Sequence, residues 1–238
     1  MIKFLTFLAI ISLTSSLYAL NLDSYKSTVT RLSGSDAVVS DNPTIKLGSS
    51  AIIIHNYDDK HRTIIAKAVA DKREGGELFL KLYYYKDLNQ DALPSYKIIP
   101  QVGDSVIFNY LYKRVLPIVP NKAAFKSLKQ RFSNIDFLHP DLFAYQLAKD
   151  SNPKPTVSDF RAECNSDDFG LLLFNIEDKG YFVDCTSFKV IHSFDMPIEG
   201  EMMSPFYTRI KEIKAKFFGL GSDDIKEYNS YYKKLLGL

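Results

Sequence analysis

Phe169-Gly170-Leu171-Leu172-Leu173-Phe174 has no polar face. A strand that is apolar on every side must be covered on both faces, so this run predicts a buried central strand in a layered fold. Its surroundings complete a small α/β layer. Glu177-Asp178-Lys179-Gly180 predicts a hairpin turn into a strand over Tyr181–Cys185, and Phe188–His192 is a third strand. Upstream, Asn121 can cap a helix over Lys122–Phe132 with Ala124, Phe125 and Leu128 on one side. Pro140-Asp141 starts a second helix through Lys149 that partly buries Leu142, Phe143, Tyr145 and Leu147, and Pro153 and Pro155 break it. Thr156-x-x-Asp159 has the form of a capping box, and a short helix to Cys164 follows it.

Before residue 120 the period changes to two. Tyr25–Leu32 and Ala37–Ser40 flank the turn Ser33-Gly34-Ser35-Asp36. Ser50–His55 is strongly β-branched, and His61–Ala70 returns after the turn Asn56–Lys60. Glu77–Tyr85 follows the hairpin signal Arg73-Glu74-Gly75-Gly76 and alternates Leu78, Leu80, Leu82 and Tyr84 against Phe79, Lys81 and Tyr83. Ile99–Pro120 reads as two strands, with Val106, Phe108, Tyr110 and Tyr112 alternating with Ile107, Asn109, Leu111 and Lys113. Pro100 and Gly103-Asp104 set the turn before them, and Pro117 and Pro120 mark a sheet edge or a strand exit.

Two helices are expected to end the chain. Ser204-Pro205 supplies a cap and a first-turn proline for one that carries Ile210, Ile213, Phe217 and Phe218 up to Gly219. Ser222-Asp223-Asp224 starts the other, with Lys233-Lys234 at its C-terminus, as the helix dipole favours. Its stripe of Ile225, Tyr228, Tyr232 and Leu235 has two readings. It packs against the body of the protein, or Tyr228 and Tyr232, with Lys233 and Lys234, dock a protein partner. The expected class is α+β. A small β-barrel or sandwich-like domain occupies residues 20–120, a three-stranded α/β layer 121–200, and two helices 201–238.

Residues 1–19 have the pattern of a secretory signal peptide. Lys3 is its positive end, Phe4–Leu13 is apolar apart from Thr6 and Ser12, and Thr14–Ala19 is a small-residue cleavage region. The apolar run is short for a membrane span, and no later segment is apolar for eighteen residues. The protein is therefore expected to be exported, with the periplasm as first destination and the cell surface as the alternative. Cys164 and Cys185, the chain's two cysteines, suit an oxidising compartment and predict a disulfide that contributes roughly 3 kcal/mol. They have no Cys-x-x-Cys spacing, so a redox-active pair is not expected.

Nothing in the sequence names a chemistry. There is no nucleophile elbow, phosphate-cradling loop or dinucleotide fingerprint. His55 and His61 flank one turn, but His55, His61, His139 and His192 lack metal-ligand spacing, and structural roles are expected. His139, just before Pro140, suits a helix start. Acidic pairs such as Asp58-Asp59 and Asp167-Asp168 fall in turns or at helix starts. Tyr83-Tyr84-Tyr85, Tyr110, Tyr112 and Tyr181 with Lys81, Lys86, Lys113 and Arg114 would form an aromatic and basic groove for single strands. Alternation turns half of them to the core, however, and a net charge of +2 gives no strong basic field. The expectation is a non-catalytic protein-binding module with no cofactor, metal or nucleic acid.

One resemblance sharpens this. Ser50-Ala51-Ile52-Ile53-Ile54-His55-Asn56-Tyr57-Asp58 and Thr63-Ile64-Ile65-Ala66-Lys67-Ala68-Val69 resemble the N-terminal domain of the plasminogen-binding protein PgbA family. So do Asp91-Ala92-Leu93-Pro94, Pro100-Gln101-Val102-Gly103-Asp104 leading to Asn109-Tyr110-Leu111-Tyr112, His139-Pro140-Asp141-Leu142-Phe143, and Gly180-Tyr181-Phe182-Val183-Asp184-Cys185. The resemblance covers about residues 25–213. It implies capture of host plasminogen at a bacterial surface, through kringle pockets that hold a lysine side chain. The chain closes on Gly237-Leu238, so the lysines that would serve are the internal Lys233 and Lys234. By analogy of architecture alone, the alternative is a periplasmic scaffold similar to accessory proteins of flagellar motors.

Overall fold

The computed structural model describes residues 22–84, 99–215 and 224–238. The signal-like segment, Tyr85, Lys86, Asp91–Pro94, Phe217–Gly219, Ser222 and Asp223 lie outside the described residues. The fold is α+β. Its first sheet contains β1 (Tyr25–Thr28), β2 (Arg31–Ser33), β3 (Asp36–Ser40), β4 (Ser50–Asn56), β5 (Arg62–Glu74), β6 (Glu77–Tyr84) and β7 (Ser105–Phe108). They run in the order β1-β7-β4-β5-β6-β3-β2, with every neighbouring pair antiparallel. Ala37, Val39, Ile53, Ala66, Ala68, Leu78, Leu80, Val106 and Phe108 fill its inner face. Register shifts at Ile53/Ile54 and Ala70/Lys72 mark bulges that bend the central strands.

The expected single strand over Tyr25–Leu32 is two strands on opposite edges of this sheet, joined by Val29 and Thr30. Val29 exchanges backbone hydrogen bonds with Asp104 and Gly103, both at 2.9 Å, while the Thr30 amide donates to Val38 O at 2.8 Å. The chain thus steps from one sheet edge to the other and curls the sheet.

The two-residue alternation read through Lys113 ends at Phe108. Asn109 and Leu111 take left-handed φ of 57° and 63°, and the chain turns there into β8 (Arg114–Ile118). β8 joins the second sheet, so residues assigned to the β-rich part pair with the α/β layer. That layer has five strands where three were expected: β9 (Asp136–Phe137), β10 (Leu171–Ile176), β11 (Lys179–Asp184) and β12 (Val190–Asp195) complete the order β12-β11-β10-β8-β9. β8 is parallel to β9 and β10, whereas β10, β11 and β12 are antiparallel. Pro117 sits within β8. The Val115 carbonyl accepts from Leu138 on the β9 side, and Pro117, two residues on, faces that same side beyond the end of β9. Its missing donor therefore breaks no ladder bond.

Every residue of β10 is buried, because both faces of the sheet are covered. Leu172, Phe174 and Ile176 face α2 (Asp141–Asp150), α3 (Val157–Ser166) and α4 (Tyr228–Leu236). Leu171 and Leu173 face α1 (Lys122–Arg131), which presents Ala124, Phe125 and Leu128. The caps form as their residues dictate. Asn121 Oδ1 accepts from the Ala124 amide at 2.9 Å, Thr156 and Asp159 close a capping box, and His139 Nδ1 receives the Asp141 amide at 3.2 Å. On α2, Phe143 and Leu147 are buried, but Leu142 and Tyr145 are exposed, contrary to expectation.

Ser204–Ala215 is not helical, so among the described residues one C-terminal helix stands where two were expected. The reason is packing. Phe206 and Tyr207 are adjacent yet enter the cores on opposite sides of the second sheet, which extended backbone allows and a helical turn does not. Backbone bonds from Met203 to Pro120 and from Tyr207 to Val119, at 2.8 and 2.7 Å, hold the segment beside the end of β8. Asp141 takes Thr208 and Arg209 as side-chain partners.

Candidate functional site

The two sheets meet at a joint built on Asp184, the last residue of β11. Its side chain is fully buried, and it is met by donors on both sides of the joint. Oδ2 accepts from Ser50 Oγ at 2.6 Å, from Tyr112 OH at 2.7 Å and from the Ser50 amide at 3.1 Å, while Oδ1 accepts from the Ser187 amide at 2.6 Å. Tyr112 OH also accepts from the Ser50 amide at 3.0 Å. Burial, with the Asp184 carboxylate beside it, holds the Tyr112 hydroxyl well above its ordinary pKa, so it remains a donor. Ser187 Oγ donates to Gly48 O and Lys67 Nζ to Asn165 Oδ1, adding two more links between the sheets. Gly170 is needed here because a Cβ would lie 2.8 Å from both the Tyr110 carbonyl oxygen and the Tyr112 ring.

Beside this joint is a cleft of about 470 Å³. Ile52 and Ile64 of the first sheet form one wall, and Tyr110, Arg114 and the Cys164–Cys185 disulfide belong to the other. Arg114 Nη1 donates to the carbonyls of Asp167 and Asp168 at 2.9 and 2.7 Å, which closes the C-terminal end of α3 with a cation.

Glu163 lies buried on α3, one turn before Asp167. Burial, reinforced by the Asp167 carboxylate, pushes its carboxyl up to about 7. A folded-state value above the ordinary 4.5 favours the neutral acid. The associated stability is complete below pH 4.5 and is lost as pH rises through about 7. Glu163→Gln, which stays neutral, is expected to flatten that decline and to raise stability at pH 8 by roughly 1–3 kcal/mol. Urea denaturation of both proteins at pH 4.5, 6 and 8 checks this. Parallel stability curves would refute it.

The four residues proposed for partner contact separate into two kinds. Tyr228 and Tyr232 are core residues with hydroxyls bonded to Ile118 O at 2.8 Å and Pro205 O at 2.7 Å, so both pack against the body of the protein. Burial raises the pKa of both well above the usual range. Lys233 is partly buried and paired with Glu177 at 2.7 Å. Lys234 is exposed. The hairpin histidines do not share a site, since His55 Nδ1 meets Asp104 at 2.7 Å and His61 meets Asp58. Of the aromatic groove residues, Tyr112 is buried in the joint. Among the described residues, no group of three or more His, Cys, Asp and Glu could hold a metal ion, and no helix is long and apolar enough to cross a membrane.

Residues 24–236 match the family described as plasminogen-binding protein PgbA, N-terminal. The chain belongs to the PgbA N-terminal family. It is similar to the plasminogen-binding protein PgbA of Helicobacter pylori strain J99 / ATCC 700824, at 21% identity over 196 residues, 81% of this chain and 43% of that protein. It is equally similar to PgbA of strain ATCC 700392 / 26695, at 21% identity, covering 81% of this chain and 42% of the relative. The chain therefore spans less than half the length of these relatives. Both are named for binding, not for catalysis or for a flagellar motor. The PgbA-like segment Gly180–Cys185 holds Asp184, which sequence reasoning left unexplained. An acid inside an apolar strand, next to a cysteine, was the available signal.

Proposed function

We propose that this chain is a non-catalytic, exported protein-binding module of the bacterial envelope that captures plasminogen through an exposed lysine side chain. The observation that carries the reading is the family match over residues 24–236 to proteins named for plasminogen binding. Export is supported by the signal-like pattern of residues 1–19 and by the disulfide, which an oxidising compartment maintains. Lys234 is the candidate contact. It sits exposed in the last turn of α4, on a helix anchored by two buried tyrosines, whereas its neighbour Lys233 is engaged by Glu177.

The test is binding of the purified mature protein to immobilised plasminogen, with 6-aminohexanoate as a competing lysine analogue. Saturable binding that the analogue abolishes is expected, weakened about tenfold in Lys234→Ala, the effect of losing one charged hydrogen-bonding contact. Absence of binding above that to a control surface would overturn the reading. Binding indifferent to the analogue would remove the lysine mechanism.

A further inference from the structure

The Cys164–Cys185 disulfide lies wholly within the second half of the chain, yet its neighbours in sequence are the residues that grip the first sheet. Next to Cys164 is Asn165, which accepts from Lys67 of β5 at 3.0 Å. Before Cys185 is Asp184, which binds Ser50 of β4, and two residues after it Ser187 donates to Gly48 O at 2.7 Å. The Cys185 amide donates to Gly170 O at 3.1 Å, and Gly170 is pressed against Tyr110 and Tyr112 at the crossing between the sheets. The disulfide therefore ties the end of α3 to the end of β11, the two segments that carry these grips. Both cysteines also belong to the core on the helix side of the second sheet, but β10 itself is flanked by β8 and β11 and covered on both faces.

We propose that the Cys164–Cys185 disulfide is a redox-sensitive fastener of the inter-sheet joint, whose reduction frees the two sheets from each other while each keeps its fold. The reductant is a small dithiol, which reaches the disulfide through the cleft that both cysteines line. One of its thiolates attacks a cystine sulfur and breaks the S–S bond, giving a mixed disulfide. Its second thiolate then displaces the bound sulfur. The protein gains two electrons and two protons as two thiols, and the dithiol leaves as its cyclic disulfide. Asn165 and Asp184 are then no longer held in one frame, and the short bonds to Lys67 and Ser50 must be kept by separate segments.

The experiment is amide hydrogen exchange on the full chain, oxidised and after dithiothreitol. The joint has direct reporters, since the Ser50 and Ser187 amides donate to Asp184 and the Cys185 amide to Gly170. Exchange in segments holding these three amides is expected to accelerate by about tenfold or more, with β10, β3, β5 and β6 changed by less than about twofold, the signature of a local opening. Ser50→Ala, with the disulfide intact, is expected to accelerate the same segments. A Cys164→Ser/Cys185→Ser double variant should reproduce the reduced pattern without reductant, and if it does not fold the dithiothreitol series on the native protein decides. Unchanged exchange at the joint would overturn the proposal. So would equal acceleration throughout both sheets, which would make the disulfide a staple of the whole fold.

Discussion

Asp184→Ala is expected to lower the stability of the protein by about 3–5 kcal/mol, because it leaves the buried Tyr112 hydroxyl and the half-buried Ser50 and Ser187 donors without an acceptor. Ser50 Oγ, Tyr112 OH and the Ser187 amide each lose their bond to the carboxylate, and all three lie within the joint. Each orphaned donor costs about 1–3 kcal/mol, reduced where water can enter. Asp184→Asn keeps the shape and one acceptor oxygen, so its loss should be less than half as large. Urea denaturation monitored by tyrosine fluorescence and by circular dichroism reads both effects. If Asp184→Ala lost less than about 1 kcal/mol, the carboxylate would not be the centre of the joint. The Ser50→Ala variant removes one of the same partners, so its effect and that of Asp184→Ala are expected to be non-additive.

Tyr232→Ala is expected to destabilise the protein by about 3–5 kcal/mol, the range for deleting a fully buried aromatic ring. Tyr232 is 0% exposed, packs against Phe160, Phe174 and Tyr228, and donates to Pro205 O at 2.7 Å. The ring connects α4 to α3, β10 and the non-helical segment after Ser204. Tyr232→Phe keeps the ring and leaves only the Pro205 carbonyl short of a partner, so about 1 kcal/mol is expected. Thermal and urea unfolding distinguish the two. Tyrosines arranged for docking would give the opposite pattern, with little loss of stability and a large loss of binding, and that result would return α4 to the interface. Lys234→Ala supplies the contrast on the same helix: its side chain is exposed, and a change within about 0.5 kcal/mol is expected.

Much of the secondary structure could be read locally because local physics decides it. Asn121 and Thr156 cap helices with side chains that reach amides three residues on, and the turn glycines Gly34, Gly75 and Gly76 adopt the positive φ their hairpins require. The alternation in β6 put Leu78 and Leu80 inside, where they are fully buried. The errors share one cause. Val106–Lys113 alternates without a break, but Asn109 and Leu111 turn the chain because Tyr112 must reach Asp184, 72 residues away. Ser204–Ala215 has a capping serine and a first-turn proline, yet two adjacent aromatics with cores on opposite faces draw it out.

By itself the sequence determined the class of fold, the buried strand Leu171–Ile176, the caps of α1 and α3 and the family to which the chain belongs. Each of these depends on residues close together in the chain, or on a pattern of identities that needs no coordinates. Tertiary structure alone decided that β8 belongs to the second sheet, that Tyr228 and Tyr232 are core while Lys234 is surface, and that Asp184 binds two sheets into one body. These depend on partners separated by tens to more than a hundred residues. A helical stripe of tyrosines reads the same whether it faces its own core or a partner, and an acid among apolar residues carries no mark of the donors that will surround it.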